Sequence, residues 1–397
     1  MTVPVQGELS WDIKVVDEKA QGIGYGFCPI AVDSNDNPHI AYSGSPDARY
    51  ASWNSKDWGI QKIEYASVHD LKLDANGNPH ISFGSLAYAR LAGGKWDIHE
   101  VTTDHTVYSS LALDSDGNPH IAYTTGNRLK YATQNGTNWT IQTVRIDSTL
   151  PDINPMLSLV LDSNNTPHIM YYNESSYVNR SIGGARFVNV NLAVWKNSRW
   201  DIEPVLSSLN LGQLGNMVID SNDNIHFLCT QNRYLSAENP ALVSNILYVR
   251  WDGFAWNAQT VASNVELGYL GFLALGPDGG PHIIYIVGDV IYTRWTGTKW
   301  ENQTLGNLTD RKCYLAVDSN GNPHISYLKV PPGEPTNSRI LYLMYATTTI
   351  PEASTDTDTE PTQPTSPDFP DLPLLLVSTA VIIGAVMTVL YVWKRKT

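Results

Sequence analysis

A ten-residue phrase returns along this chain: DSNDNPHIAY from Asp33, DANGNPHISF from Asp74, DSDGNPHIAY from Asp114 and DSNGNPHISY from Asp318. Looser copies bring its histidines to seven, namely His39, His80, His120, His168, His226, His282 and His324, at spacings of 41, 40, 48, 58, 56 and 42 residues. A unit of that length cannot bury its apolar face alone. It must stack on its neighbours, so the fold is a repeat architecture before any other consideration applies.

A second landmark alternates with the first. Trp11, Trp58, Trp96, Trp139, Trp200, Trp256 and Trp300 each open a short strand, as in WDIKVV, WDIHEV and WTIQTV. A tyrosine stands eight residues before most of them, at Tyr50, Tyr88, Tyr131, Tyr248 and Tyr292, and Leu192 holds that place in the fourth unit. Each unit reads as four short strands of about 4–6 residues between Gly, Asn, Pro and Asp turns, for example SSLALD, HIAY, RLKYA and WTIQTV. Four strands per unit of 40–50 residues indicate an all-β, seven-bladed β-propeller. The chain enters on a Trp strand and leaves on RILYLMYATTTI, a third strand with no fourth behind it. The Trp11 strand is therefore expected to close the ring as the outer strand of the last blade.

Strand patterning agrees with packed blades. Leu111 and Leu113 flank Ala112, and Ile121 and Tyr123 flank Ala122. Successive strand side chains point to opposite faces, so each blade has a bulky face and a small face that let neighbours interdigitate.

The propeller is expected over residues 1–350. Residues 351–372, rich in Thr, Pro, Asp and Glu, cannot bury enough surface to fold and read as a disordered stalk. Residues 373–393 read as one C-terminal transmembrane helix: Leu374–Trp393 is a run of 20 residues without a charge, long enough to cross a bilayer core. The basic tail 394–397 follows and belongs inside, which places the propeller outside the cell membrane and the C-terminus in the cytoplasm. Export needs a leader, and MTVPVQGELSW has neither a charged n-region nor an apolar h-region. The reading therefore favours a truncated or misassigned start over a tail-anchored cytoplasmic protein. A net charge of −13 argues against nucleic acid as a partner.

D-S-D-G-N has the oxygens of a calcium loop at Asp114, Asp116 and Asn118. Its copies substitute Asn35, Asn76, Asn164, Asn222 and Asn320 for Asp116, and the unit at Gly276 lacks the leading Asp. A calcium loop also needs a late carboxylate. The phrase is better read as a tight hairpin, with no metal and no cofactor expected. Its Asp and His flank the turn and are expected to brace it: Asp33 and His39, Asp74 and His80, Asp114 and His120, Asp162 and His168, Asp220 and His226, Asp318 and His324, with His282 alone. A catalytic His–Asp dyad would not need seven copies, whereas a ring needs seven copies of one brace.

Connection lengths carry the functional signal. The turn between strands one and two and the turn between strands three and four hardly vary, and both lie at one end of the blades. The other two connections vary greatly, as in YNESSYVNRSIGGA from Tyr172, TQNRYLSAENPALVS from Thr230 and RIDSTLPDINPM from Arg145. Insertions on one face mark a binding face. That face offers Tyr172, Glu174, Tyr177, Arg180, Arg186, Arg233, Tyr234, Glu238 and Arg311, a mixture that suits a sugar and equally describes ordinary solvated loops. Cys28 and Cys313 each stand five residues before the repeat Asp, in units that neighbour in a closed ring, so a disulfide between them is one option. Sequons at Asn135, Asn138, Asn164, Asn173, Asn179, Asn302 and Asn307 mildly favour a glycosylated surface location.

LALDSDGNPHIAY and LKYATQNGTNW resemble the repeats of uncharacterised bacterial and archaeal surface propellers, loosely grouped with the sialidase-like superfamily. The resemblance covers residues 11–349, and the stalk, span and basic tail are similar to archaeal C-terminal anchors. The sialidase box S-x-D-x-G-x-x-W does not occur, so the resemblance implies the fold and leaves the activity open. Three functions follow as expectations. The first is recognition of a glycan or protein ligand at the cell surface, the second a glycan hydrolase or lyase on the same face, and the third a structural scaffold within the envelope.

Overall fold

The computed structural model describes residues 10–21, 27–44, 46–65, 67–104, 106, 108–146, 157–177, 186–234, 242–266, 269–306, 313–334 and 340–350. The first strand, β1 (Asp12–Gln21), belongs to the last blade. Blade 1 is β2 (Ile30–Val32), β3 (Pro38–Tyr42), β4 (Ala48–Trp53) and β5 (Trp58–Ile63). Blade 2 is β6 (Val68–Leu73), β7 (Pro79–Phe83), β8 (Ala87–Ala92) and β9 (Lys95–Glu100). Blade 3 is β10 (Ser109–Leu113), β11 (Pro119–Thr125), β12 (Arg128–Asn135) and β13 (Asn138–Ile146). Blade 4 holds β14 (Leu157–Leu161), β15 (Pro167–Tyr177), β16 (Arg186–Lys196) and the first half of β17 (Arg199–Ile219). The second half of β17 opens blade 5, followed by β18 (Ile225–Tyr234), β19 (Leu242–Trp251) and β20 (Trp256–Val265). Blade 6 is β21 (Tyr269–Leu275), β22 (Pro281–Val287), β23 (Asp289–Trp295) and β24 (Trp300–Gly306). Blade 7 is β25 (Cys313–Val317), β26 (Pro323–Lys329), β27 (Ile340–Thr347) and β1.

Ring closure is as the order of landmarks predicts. β1 pairs antiparallel with β27 from Asp12↔Thr347 to Gln21↔Ile340. One expectation needs correcting: the strands are not all short. β17 runs for 21 residues and joins two blades into one seven-stranded sheet. The pairings Val188↔Leu211 and Leu211↔Gln231 let one strand serve blade 4 and then blade 5 without a turn.

The core is a set of layers between blades. Leu111, Ile121 and Tyr123 of blade 3 share a layer with Leu86 and Tyr88 of blade 2. The small face of blade 3, with Ala112 and Ala122, joins Leu157, Leu159 and Ile169 of blade 4. The bulky face thus meets the preceding blade and the small face the following one.

The Tyr and Trp landmarks meet across these layers. Each Trp stands edge-on to the Tyr of the preceding blade: Trp96 on Tyr50 at 5.5 Å, Trp139 on Tyr88 at 5.5 Å, Trp200 on Tyr131 at 5.2 Å, Trp300 on Tyr248 at 5.8 Å, Trp11 on Tyr292 at 5.5 Å and Trp58 on Tyr345 at 5.3 Å. Such edge-to-face pairs each contribute about 0.5–1.5 kcal/mol beyond burial. At the seventh interface Leu192 replaces the Tyr, and Trp256 packs on Phe227 of its own blade instead.

The repeated phrase is a turn with the Asp at its hub. Asp33 Oδ1 accepts the amides of Asn35 and Asn37 at 2.8 and 2.9 Å, and Asp114 and Asp318 do the same for their own turns. The residue three after the Asp adopts a left-handed φ, as Asp36 at 62°, Gly117 at 80° and Asn165 at 59°, which explains why only Gly, Asn and Asp occur there. Where that residue is not glycine it caps a serine of the preceding blade's turn. Asp36 takes Ser319 N and Oγ at 2.9 and 2.7 Å, Asp223 takes Ser163 N and Oγ at 2.8 and 2.6 Å, and Asn165 Oδ1 takes Ser115 N at 3.1 Å.

The His brace has two sides. Toward the turn, each His Nε2 stands 3.2–3.7 Å from its Asp, a range in which most contacts are electrostatic rather than tight hydrogen bonds. Toward the blade interior, His Nδ1 bonds the landmark Tyr hydroxyl: His80 with Tyr88 at 2.6 Å, His226 with Tyr248 at 2.5 Å, His282 with Tyr292 at 2.7 Å, His324 with Tyr345 at 2.7 Å, and likewise His39 with Tyr50 and His120 with Tyr131. The Tyr side is the tighter one. In blade 4, where Leu192 holds the tyrosine's place, the buried Nδ1 of His168 has no hydrogen-bond partner among the described residues. Cys28, Cys229 and Cys313 are buried free thiols. Burial raises all three thiol pKa values, and for Cys28 the neighbouring Cys313 adds to the rise.

Candidate functional site

Two faces of the ring differ. The hairpin turns of the repeated phrase and the tight turns between third and fourth strands form one face. The chain also enters at Ser10–Trp11 and leaves at Thr348–Ile350 on that face, where Thr348 Oγ donates to Ser10 O at 2.8 Å. The variable connections form the opposite face.

That variable face is not level. In blade 1 the second strand is 5 residues long, whereas β15 in blade 4 has 11 and β18 in blade 5 has 10. Pairing continues outward to Tyr177↔Arg186 in one hairpin and Tyr234↔Leu242 in the other. The extra residues raise a β-arm of roughly 15–20 Å on each of two adjacent blades, at about 3.3 Å per residue.

Six of the nine candidate residues lie in the strands of these arms. Tyr172 lies in β15, partly buried and packed against the layer between blades 4 and 5. Glu174 and Tyr177 follow on the same strand, and Arg186 pairs directly opposite Tyr177. Arg233 and Tyr234 end β18, opposite Val243 and Leu242. These five are placed by their backbone. Arg180, Glu238 and Arg311 lie outside the described residues, as do the stalk, the apolar segment 373–393 and the basic tail. Among the described residues no helix is long and apolar enough to cross a membrane. Asn138, Asn164 and Asn302 of the sequons are exposed.

At the ring's axis sits a cavity of about 270 Å³ lined by the inner strands of all seven blades. The position four residues before the repeat Asp shapes it. In blades 2 to 5 it is polar: Asp70, Ser110, Ser158 and Asn216. In blades 6, 7 and 1 it is Phe272, Tyr314 and Pro29. The polar members hold the next blade's inner strand. Asp70 Oδ2 accepts Leu111 N at 2.9 Å, Ser110 Oγ accepts Leu159 N at 3.1 Å, Ser158 Oγ accepts Met217 N at 3.0 Å and Asn216 Oδ1 accepts Leu273 N at 2.7 Å. On the other wall Phe272 and Tyr314 stack at 4.3 Å.

Three rings gather beside this cavity: Phe27, His69 and Tyr108, with centroids 5.5–5.8 Å apart. His69 Nδ1 bonds Ser109 Oγ at 3.1 Å, and Ser109 donates to Ser82 Oγ at 3.0 Å. Asp70 also takes Lys72 Nζ at 2.8 Å on Oδ1, so both carboxylate oxygens are engaged. Asp70 is thus a strut that ties the inner strand of blade 2 to that of blade 3. The buried Ser–Ser–His chain is likewise internal, with Ser109 and Ser82 at 0% exposure. Sequence reasoning missed this axial column. Aligning the seven units at that one position would have shown its polar and aromatic halves.

Ion pairs on the variable side stitch blades together. Asp17 of β1 accepts Tyr42 Oη at 2.8 Å and Arg49 Nη1 at 2.5 Å across the closing seam. Lys130 of blade 3 donates to Asp104 at 2.6 Å in the same manner. Burial and the hydrogen bond to Asp17 hold the Tyr42 phenol protonated.

The fold and its two faces define a seven-bladed β-propeller with one elaborated face. No family model matches the chain, and no curated protein matches it. Solved structures show the fold. The chain is similar to the polysaccharide lyase Uly1 (9% identity, TM-score 0.58, 86% of this chain and 99% of that one). It is also similar to a catalytically inactive virginiamycin B lyase from Staphylococcus aureus (11% identity, TM-score 0.54, 86% and 100%). YCF48 bound to a D1 peptide is a further likeness (11% identity, TM-score 0.52, 91% and 100%).

Proposed function

We propose that this chain is a membrane-anchored recognition module of the cell surface that binds a glycan or protein ligand on its variable-loop face. The observation that carries the reading is the pair of β-arms on blades 4 and 5, raised on the face opposite the propeller's entry at Ser10 and its exit at Ile350. A chain anchored through residues 373–393 is tethered from its hairpin face, and the arms then point away from the membrane. The residues assigned to ligand binding on that face remain Tyr172, Glu174, Tyr177, Arg180, Arg186, Arg233, Tyr234, Glu238 and Arg311, a set that combines aromatic rings with charge of both signs. The likeness to YCF48 bound to a D1 peptide supports a propeller that binds a ligand.

The second reading is a glycan hydrolase or lyase on the same face, favoured by the likeness to a polysaccharide lyase. The third is an envelope scaffold. A panel of polysaccharides presented to the detergent-solubilised full chain, scored for retention and for release of new sugar ends, separates them. Retention without release is expected. Release makes the chain an enzyme and directs attention to Glu174 and Glu238. Neither outcome on any polysaccharide or surface protein leaves the scaffold.

A further inference from the structure

Six blades join their third and fourth strands by a tight turn, as at Asn54–Asp57 or Thr296–Lys299. Blade 7 has no such turn, because its third strand is the end of the propeller and its fourth the beginning. The entering segment from Ser10 and the leaving segment to Thr349 instead line a groove of about 370 Å³ between blades 7 and 1 on the hairpin face. That volume lies within the range of small-molecule sites.

Its walls are aromatic and acidic. Trp53 and Trp58 stand 5.6 Å apart at 57°, and Trp58 meets Tyr345 at 5.3 Å. Asp12, Asp36 and Asp318 line the groove against one lysine, Lys14. The Lys14 ammonium sits 5.4 Å from the centre of the Trp53 ring and 2.7 Å from Asp12 Oδ2. It is a half-exposed side chain, at 46%, so its hold on the ring is exchangeable. The groove thus already holds one cation over an aromatic face beside a carboxylate, the arrangement by which aromatic sites recognise ammonium groups.

We propose that the seam groove is a binding site for an ammonium-bearing ligand, which displaces Lys14 from Trp53 and takes Asp12 as its counter-ion. This site lies on the face opposite the β-arms and does not depend on what they bind.

The test is calorimetric titration of the detergent-solubilised full chain with three probes: choline chloride, an acetylated and amidated Gly-Lys-Gly tripeptide, and glucosamine, with glucose as the uncharged control. At least one ammonium probe is expected to bind and glucose is not. Which probe binds distinguishes a free quaternary amine, a lysine side chain and an amino sugar. Lys14→Gln removes the resident cation and should tighten binding by about fivefold, while Trp53→Ala should weaken it by about tenfold or more, as a cation–π contact of this kind implies. Trp53→Phe, which keeps a weaker ring, should fall between and guards against misfolding of the alanine variant. Equal binding by Trp53→Ala and Trp53→Phe, equal binding of glucose, or no binding by the Lys14→Gln protein overturns the proposal.

Discussion

Tyr131→Phe isolates the interior half of the blade brace. The Tyr131 hydroxyl bonds His120 Nδ1, and its ring stands edge-on to Trp200 at 5.2 Å. Phenylalanine keeps the ring and leaves a buried imidazole nitrogen without a partner, which costs about 1–3 kcal/mol. Tyr131→Leu rebuilds the arrangement that blade 4 has naturally, where Leu192, paired with Met170, holds the tyrosine's place. It loses the hydroxyl and also the edge-on contact, a further ~0.5–1.5 kcal/mol before any cavity is counted. For a chain of this size each kcal/mol shifts the melting temperature by about 2 °C. Thermal unfolding of the full chain by near-ultraviolet circular dichroism should therefore place Phe roughly 2–6 °C below wild type and Leu lower still. A neutral Tyr131→Phe would refute the claim that the hydroxyl bond stabilises the blade. Equal values for Phe and Leu would refute the role of the Trp200 contact.

The same logic predicts that His120→Ala destabilises more than His168→Ala, by about 1 kcal/mol, since His168 has no tyrosine bond to lose; equal losses in urea unfolding would contradict it. Acid should weaken the propeller in a defined window. Burial lowers the pKa of His39, His80, His120, His226 and His324, and of His282 to about 4. A group depressed by folding favours the unfolded state once protons are available, so this stability is intact above the unfolded value near pH 6.5 and is lost as pH falls toward about 4. Burial opposes the ionised repeat aspartates, but their turn amides and asparagines outweigh it and hold their pKa low. Their contribution therefore disappears only at still lower pH. A melting temperature flat from pH 7 to 4 would contradict the histidine assignment. Asp36→Ala removes the caps on Ser319 and leaves alanine at a φ of 62°, whereas Asp36→Gly removes only the caps. Alanine should be the less stable by about 1 kcal/mol in calorimetry, and the reverse order would refute the left-handed role.

The fold was legible because its constraints are local and repeated. The αL position of the turn admits only Gly, Asn or Asp, and the missing fourth strand after Ile340 has no partner but the Trp11 strand. The alternation around Ala112 and Ala122 likewise announced a bulky and a small face on each blade, while the neighbour that each face meets emerged only from the packed ring. What escaped reading is what depends on contacts between units. The Tyr50 and Trp96 landmarks were visible, but their meeting across a blade boundary follows from the ring's geometry and not from either segment. The continuity of β17 was hidden because residues 206–219 carry Ser207, Ser208, Asn210, Gly212, Gly215 and Asn216, residue types that read as a loop, through the point where the other blades turn. The axial column of Asp70, Ser110, Ser158 and Asn216 was overlooked because it varies in residue type from blade to blade. The candidate ligand residues were legible only as a face, since they fall in insertions where no repeat fixes the side chains.

If the arms on blades 4 and 5 form the recognition face, removing their aromatic and basic side chains abolishes binding. The most direct measurement is retention of the full chain on the polysaccharide or surface protein that holds it, compared with a variant carrying Tyr177→Ala, Arg180→Ala and Tyr234→Ala. An unchanged melting temperature and lost retention are expected. Retention equal to wild type, with the fold intact, would move the ligand away from the arms and contradict that assignment.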